Sequence, residues 1–177
     1  MPADDARIEY WRHTALRDLG LLDEPALPEF QGLCERAREQ FRAPVAMVKL
    51  VDNDRIIIAA QAGIDLGETL PRHEAFSDYT IRSEEVFVVP DATKDPRFAE
   101  NALVTGWRHI RFYAGAPLIY RQELRLGSLC LFDMQPRELS LGDKAELANM
   151  ADEVVGLIIQ QEVDGKLAAV GLGKPRR

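Results

Sequence analysis

Apolar residues recur along the chain with two different periods, and the change of period marks out the elements. Over residues 4–19, Ile8, Trp11, Ala15 and Leu19 fall at i, i+3, i+7 and i+11, a single helical stripe that Gly20 is placed to terminate. A second helix is predicted from Pro25 to Phe41. Pro28 sits in its first turn, Phe30, Leu33, Cys34, Ala37 and Phe41 form its buried face, and Pro44 closes the segment. The period then shortens. VAMVKLV (45–51) and RIIIAAQ (55–61) are β-branched apolar runs joined by Asp52–Asn53–Asp54, a hairpin signal. FYAGAPLIY (112–120) and RLGSLCLF (125–132) flank the polar turn Arg121–Glu123 and form a second hairpin, with Pro117 marking an edge position or a bulge.

Between the hairpins lie 50 residues, Ala62 to Arg111, with one short strand candidate, VFVVP (86–90). An irregular stretch of this length inside a compact domain points to a binding loop or lid. From Leu139 to about Val163 the chain is predicted helical again, with Ser140 as N-cap and Asp143 three residues later. Leu147, Ala151, Val154, Ile158 and Gln161 make its stripe, Met150, Val155 and Ile159 widen it, and the tail after Gly165 is expected to fray. The order α-α-β-β-(irregular, one β)-β-β-α implies an α+β fold around an antiparallel sheet.

Composition narrows the class. With 177 residues, 46% hydrophobic and 29% charged, the chain is an ordinary single-domain length that requires neither disulfide nor structural metal. The net charge of −7 argues against a nonspecific binder of nucleic-acid backbone. The longest stretch free of Asp, Glu, Lys and Arg is nine residues, too short to span a membrane. The N-terminus is acidic rather than signal-like, so a cytoplasmic location with two reduced thiols, Cys34 and Cys130, is expected. No dinucleotide, P-loop, zincin, nucleophile-elbow or EF-hand motif is present, and GLGK (171–174) lacks the strand and helix that a phosphate loop needs.

FSDYTI (76–81), VVPDATKDPRF (88–98), NALVTG (101–106), HIRFYAGAPL (109–118) and LGSLCLFD (126–133) together resemble a bacterial GAF domain, a small-molecule sensor module of signalling proteins. HTALRDLGLLDEPALPEF (13–30) resembles its helical lead-in, so the likeness spans about residues 10–162. The resemblance implies a GAF/PAS-like fold, with the N- and C-terminal helices on one face of the sheet and a ligand pocket on the other. It divides the chain into a lead-in (1–24), a sensor domain (25–163) and a flexible tail (164–177). Departures from the family restrict the function. Neither Cys34–Glu35 nor Cys130–Leu131 matches the Cys-His of bilin attachment, so no covalent bilin is expected and the cofactor stays open. Ser77 stands where many relatives carry Cys, the thiol cluster of the reductase type is missing, and the charged motif of cyclic-nucleotide binders is not matched.

The candidate pocket is walled by 73–113 and the second hairpin. Arg111 and Tyr113 share strand parity with His109, a set suited to an anionic or polar ligand. Alternatively Arg111 pairs with Asp91 or Asp95 and pins the loop. Ser77 and Tyr79 either cap the pocket or serve helix capping and core packing; Trp107 either lines the pocket or anchors its loop. His73, Glu74 and Asp78 read as a solvated face, and Cys130 faces either core or pocket. The expected function is a non-catalytic sensor that binds a small molecule or dimerises, and relays a signal through its terminal helices. A GAF-fold enzyme of free methionine sulfoxide reductase type is the alternative. Expected partners are a second copy and an output protein such as a kinase or cyclase, with neither nucleic acid nor membrane. The dimer expectation rests on surplus apolar surface: Leu147, Met150, Ala151, Val154, Val155, Leu157, Ile158 and Ile159, plus Ile8, Trp11 and Ala15. The helix at 25–41 is the competing cover for that stripe.

Overall fold

The computed structural model describes residues 3–67, 71–121 and 124–173. Five strands form one antiparallel sheet in the order β2-β1-β5-β4-β3: β1 (Val45–Val51), β2 (Ile56–Gly63), β3 (Phe87–Val89), β4 (Phe112–Tyr120) and β5 (Leu124–Asp133). Gln122 and Glu123 of the expected turn lie outside the described residues, as do Glu68–Leu70. Pro117 satisfies both of its readings. The β4–β5 register shifts between Pro117 and Ile119, and β3 pairs only with Tyr113–Gly115, so the missing amide of Pro117 interrupts no β3 ladder. β2 ends at Gly63, whose φ of +93° and close approach to the Pro44 carbonyl (1.9 Å from any added Cβ) leave no room for a side chain.

Helices α1 (Ala3–Asp18), α2 (Pro28–Gln40) and α5 (Leu141–Ala169) pack on one face. There Ala46, Val48 and Leu50 of β1, Phe112, Ala114, Ala116 and Leu118 of β4, and Leu129 and Leu131 of β5 meet Leu16, Phe30, Leu33, Leu147, Val154 and Ile158. Helix α2 begins at Pro28, not Pro25. The residue before a proline is held extended, and Leu27 has ψ of 141°, so the helix cannot include it. Helix α5 opens on a complete capping box between Ser140 and Asp143 and continues to Ala169, past the end expected near 163. Gly165 does not break it, and the chain turns off at Gly171 (φ +74°) with Leu172 N–H donating to the Leu167 carbonyl at 2.9 Å.

One reading of a helix face needs correction. Leu147, Met150, Ala151, Val154, Val155 and Ile158 are all buried within one chain, covered by the sheet and by α2, so this stripe is not surplus surface awaiting a second copy. In α1 the predicted stripe divides: Ile8 and Trp11 are exposed, in keeping with their reading as surplus apolar surface, while Ala15 and Leu19 pack against the core beside the buried Arg12 and Leu16. The inner face of α1 combines the apolar contacts of Leu16, Ala15 and Leu19 with the polar contacts of Arg12.

Candidate functional site

The opposite face of the sheet is covered by the irregular segment expected to form a lid. It contains a 3₁₀ turn (Arg72–Glu74), α3 (Phe76–Thr80), a second 3₁₀ turn (Ala92–Lys94) and α4 (Ala102–Thr105). β1, β4 and β5 present Val45, Met47, Tyr113, Cys130 and Phe132 to it, and Phe76, Phe98, Leu103 and Val104 pack down from above. The middle of this layer is a run of rings. Phe76 stacks on Phe98 (4.1 Å between centroids) and on Tyr113 (4.9 Å), and Tyr113 meets Phe132 edge-on at 5.1 Å. The expected ligand space is therefore occupied by aromatic side chains.

A polar cluster is embedded beneath α3. The Tyr113 hydroxyl lies 2.7 Å from Thr80 Oγ1, and the Ser128 hydroxyl donates to Ser77 Oγ at 3.1 Å; all four residues are fully buried. Room for the phenol exists because residue 115 is glycine: a Cβ there would fall 2.2 Å from Tyr113 Oη and 2.6 Å from Thr80 Oγ1. Cys130 faces this cluster, which closes the choice left open by the sequence, and burial pushes its thiol up despite nearby Lys49. Burial likewise pushes the Tyr113 phenol up. Lys49, only 8% exposed, projects from β1 onto the same side with Nζ 4.8 Å above the Phe132 ring, and burial depresses its amine. Cys34 lies on the other face, against α2 and the sheet, with its thiol pushed up to about 12 by burial.

The structure brings only part of the predicted set together. Ser77 and Tyr113 meet in the cluster. Tyr79 sits at its margin, stacked on Phe87 and edge-on to Phe98, with the Arg82 guanidinium 4.1 Å from its ring. Trp107 is 74% exposed, its ring covered only by Arg108, and His109 is exposed. Arg111 donates to the carbonyls of Val104 (3.0 Å) and Ile110 (2.9 Å) and lies 2.7 Å from His109 Nε2. The reason is local. Strand β4 starts only at Phe112, and His109 adopts a left-handed φ of +57°, so the alternation that aligned 109, 111 and 113 does not reach back that far. Arg111 does pin the loop, but through carbonyl oxygens: Asp91 binds Thr93 and Lys94, and Asp95 binds Arg97.

Sequence reading missed the device that ties this segment to α1. Arg72 donates to both oxygens of Glu9 (2.5 and 2.7 Å), to Asp78 Oδ1 (2.8 Å), and to the carbonyls of Asp52 (2.8 Å) and Asn53 (3.1 Å). Arg12 donates to Glu9 and to the Arg125 carbonyl, and Asp78 also accepts from Arg82. Burial alone would raise the Glu9 carboxyl, but hydrogen bonds and charge from Arg72 and Arg12 outweigh it and hold the group below its usual range. These residues line a surface cavity of about 500 Å³ between α1 and α3. The signal that could have found them was Glu9 and Arg12 on one helical face of α1, three residues apart.

Comparison with known proteins follows the same lines. The model of the GAF domain matches residues 27–158. A cyclic di-GMP phosphodiesterase of Pseudomonas aeruginosa is 41% identical over 151 residues, 85% of this chain and 26% of that protein, so the chain spans about a quarter of that relative. The solved GAF domain of a phosphoenolpyruvate-protein phosphotransferase from Coxiella burnetii has a TM-score of 0.64 at 18% identity, covering 88% of this chain and 97% of that one. The type II free methionine-R-sulfoxide reductase of Thermoplasma acidophilum has a TM-score of 0.62 at 11% identity, covering 86% and 96%. At those identities the structural likeness speaks for the fold alone.

Proposed function

The chain belongs to the GAF domain family, and from that premise we propose that it is a non-catalytic sensor module whose α3 face receives a small ligand and whose α1 helix carries the response. The observation that carries this reading is Arg72. One guanidinium is bonded at once to Asp78 on α3, to Glu9 on α1 and to the carbonyls at the β1–β2 turn. A displacement of α3 that accommodates a ligand must move or break those bonds, and α1 then loses its anchor. The likeness to a cyclic di-GMP phosphodiesterase supports an output of that kind in place of a kinase or cyclase.

Hydrogen exchange tests the relay. Phe76→Ala vacates the ring stacked between Phe98 and Tyr113 and is expected to speed amide exchange in α1 as well as α3. Faster exchange in α3 with α1 unmoved would refute it. The reductase alternative finds little support, because Cys34 and Cys130 lie on opposite faces of the sheet and burial keeps both thiols protonated. Accordingly the protein is expected not to consume free methionine sulfoxide with a thiol reductant. Self-association we place on the apolar positions that α1 and α5 leave exposed, Ile8, Trp11, Val163 and Leu167.

A further inference from the structure

The buried cluster contains one group that packing does not explain. Lys49 is the fifth residue of VAMVKLV, a strand buried along its whole length, and it stands cross-strand from Ser128. Its Nζ nevertheless reaches the ring of Phe132, which pairs with Val45 four positions away. The side chain therefore runs along β5, past Cys130 on the same face. Near it stand Ser128, its cross-strand neighbour, the Cys130 thiol and the ring of Phe132. Among the described residues it makes no ion pair, whereas Lys94 and Lys166 are exposed and paired with Asp91 and Glu162.

A buried ammonium without a counter-charge is unstable, and a ring face compensates less than a carboxylate. Burial thus favours the neutral amine, and a desolvated neutral lysine is a nucleophile toward carbonyl carbon. We propose that Lys49 is a carbonyl-capture site, whose Nζ condenses with a small aldehyde to form an imine beneath α3. The N–C bond forms as the carbonyl oxygen departs with two protons from the amine as water; no oxidant or reductant is consumed, and hydrolysis reverses the step. The neighbouring Cys130 thiol is a donor and acceptor for the proton movements. The aromatic layer restricts the reactant to a few heavy atoms, and α3, a five-residue helix, is the element that must lift to admit it. This names a ligand class for the sensor reading above, yet its chemistry is testable alone.

The test is reductive trapping on the folded protein at neutral pH, with acetaldehyde as probe and cyanoborohydride as reductant, read by peptide mass spectrometry. Lys49 is expected to be ethylated faster than Lys94, Lys144 or Lys166, since burial that depresses a lysine pKa raises the neutral fraction of its amine. Unfolding in urea should erase the preference. Lys49→Met, which keeps the packing volume, and Lys49→Arg should both remove the fast site while the circular dichroism spectrum is retained. Label spread over the exposed lysines with Lys49 spared overturns the proposal, and leaves the exchange test of the relay standing. Capture at Lys49 without any change of exchange in α1 supports the site and removes the relay.

Discussion

Replacing Arg72 with methionine is the perturbation that most directly questions how α1 is held. The guanidinium is 14% exposed and its carboxylate partners Glu9 and Asp78 are 22% and 13% exposed, so screening by water is limited. Removing one partner of a buried pair costs about 3–5 kcal/mol. Here Glu9 keeps Arg12 and Asp78 keeps Arg82, which puts the expected loss at the lower end, about 3 kcal/mol. For a chain of this length that lowers the melting temperature by roughly 6–12 °C. Urea titrations of Arg72→Met, Glu9→Gln and the double variant give the coupling, expected at about 1–2 kcal/mol. Acid supplies a second reading. The native Glu9 carboxyl titrates below its ordinary value of 4.5, so the pair contributes fully above that pH and is lost as pH falls through the native value. The gap between wild type and Arg72→Met should therefore narrow on acidification below 4.5. Additive single variants, with coupling under about 0.5 kcal/mol, would show that α1 is held by something else.

Tyr113→Phe removes the phenol from Thr80 Oγ1, leaving that hydroxyl only a 3.4 Å contact to the Phe76 carbonyl, and should cost about 1–2 kcal/mol in a urea titration. Ser140→Ala deletes the cap on the Asp143 amide and should destabilise the fold by about 1 kcal/mol, seen as a lower melting temperature by circular dichroism. Trp107→Ala should leave stability within about 0.5 kcal/mol, because the ring is mostly in water; a larger loss would place it in the core after all.

The strands were legible because strand burial writes itself as apolar runs: β1 and β4 match their predicted spans at both ends, and β2, β3 and β5 differ by two residues or fewer. The irregular 62–111 segment was legible as a cover for the same reason in reverse, having turn chemistry where a second layer was needed. Faces of helices were harder. Apolar periodicity aligned Ile8 and Trp11 with Ala15 and Leu19 in one stripe of α1, of which only the latter two pack on the core, and the guanidinium–carboxylate lattice at Glu9 and Arg12 carries no hydropathy signal. The stripe of α5 was correctly seen as broad; whether α2 or a second copy covers it depends on the path of the chain, which spacing does not encode. Of the candidate residues, Ser77 and Tyr113 fall in the buried cluster, the left-handed His109 breaks the alternation that aligned 109 and 111 with 113, and Trp107 lies on the surface. Lys49 was passed over although a lone charge inside a seven-residue apolar run is a visible anomaly.

The missing Cβ at position 115 has a consequence for how this sequence can drift. Tyr113, Thr80 and Gly115 share one volume, so a substitution at any of them alters what the others tolerate. Gly115→Ala in the present background drives a methyl into the phenol oxygen and is expected to be purged. After Tyr113→Phe the contact with the phenol oxygen is gone, and the same alanine meets the ring Cζ at 2.8 Å and Thr80 Oγ1 at 2.6 Å, a smaller clash that a shift of the ring and a rotation of Thr80 must relieve. The order of the two steps thus decides whether the path is open. Across descendants of this chain, alanine at position 115 should accompany phenylalanine at position 113 and should not accompany the tyrosine.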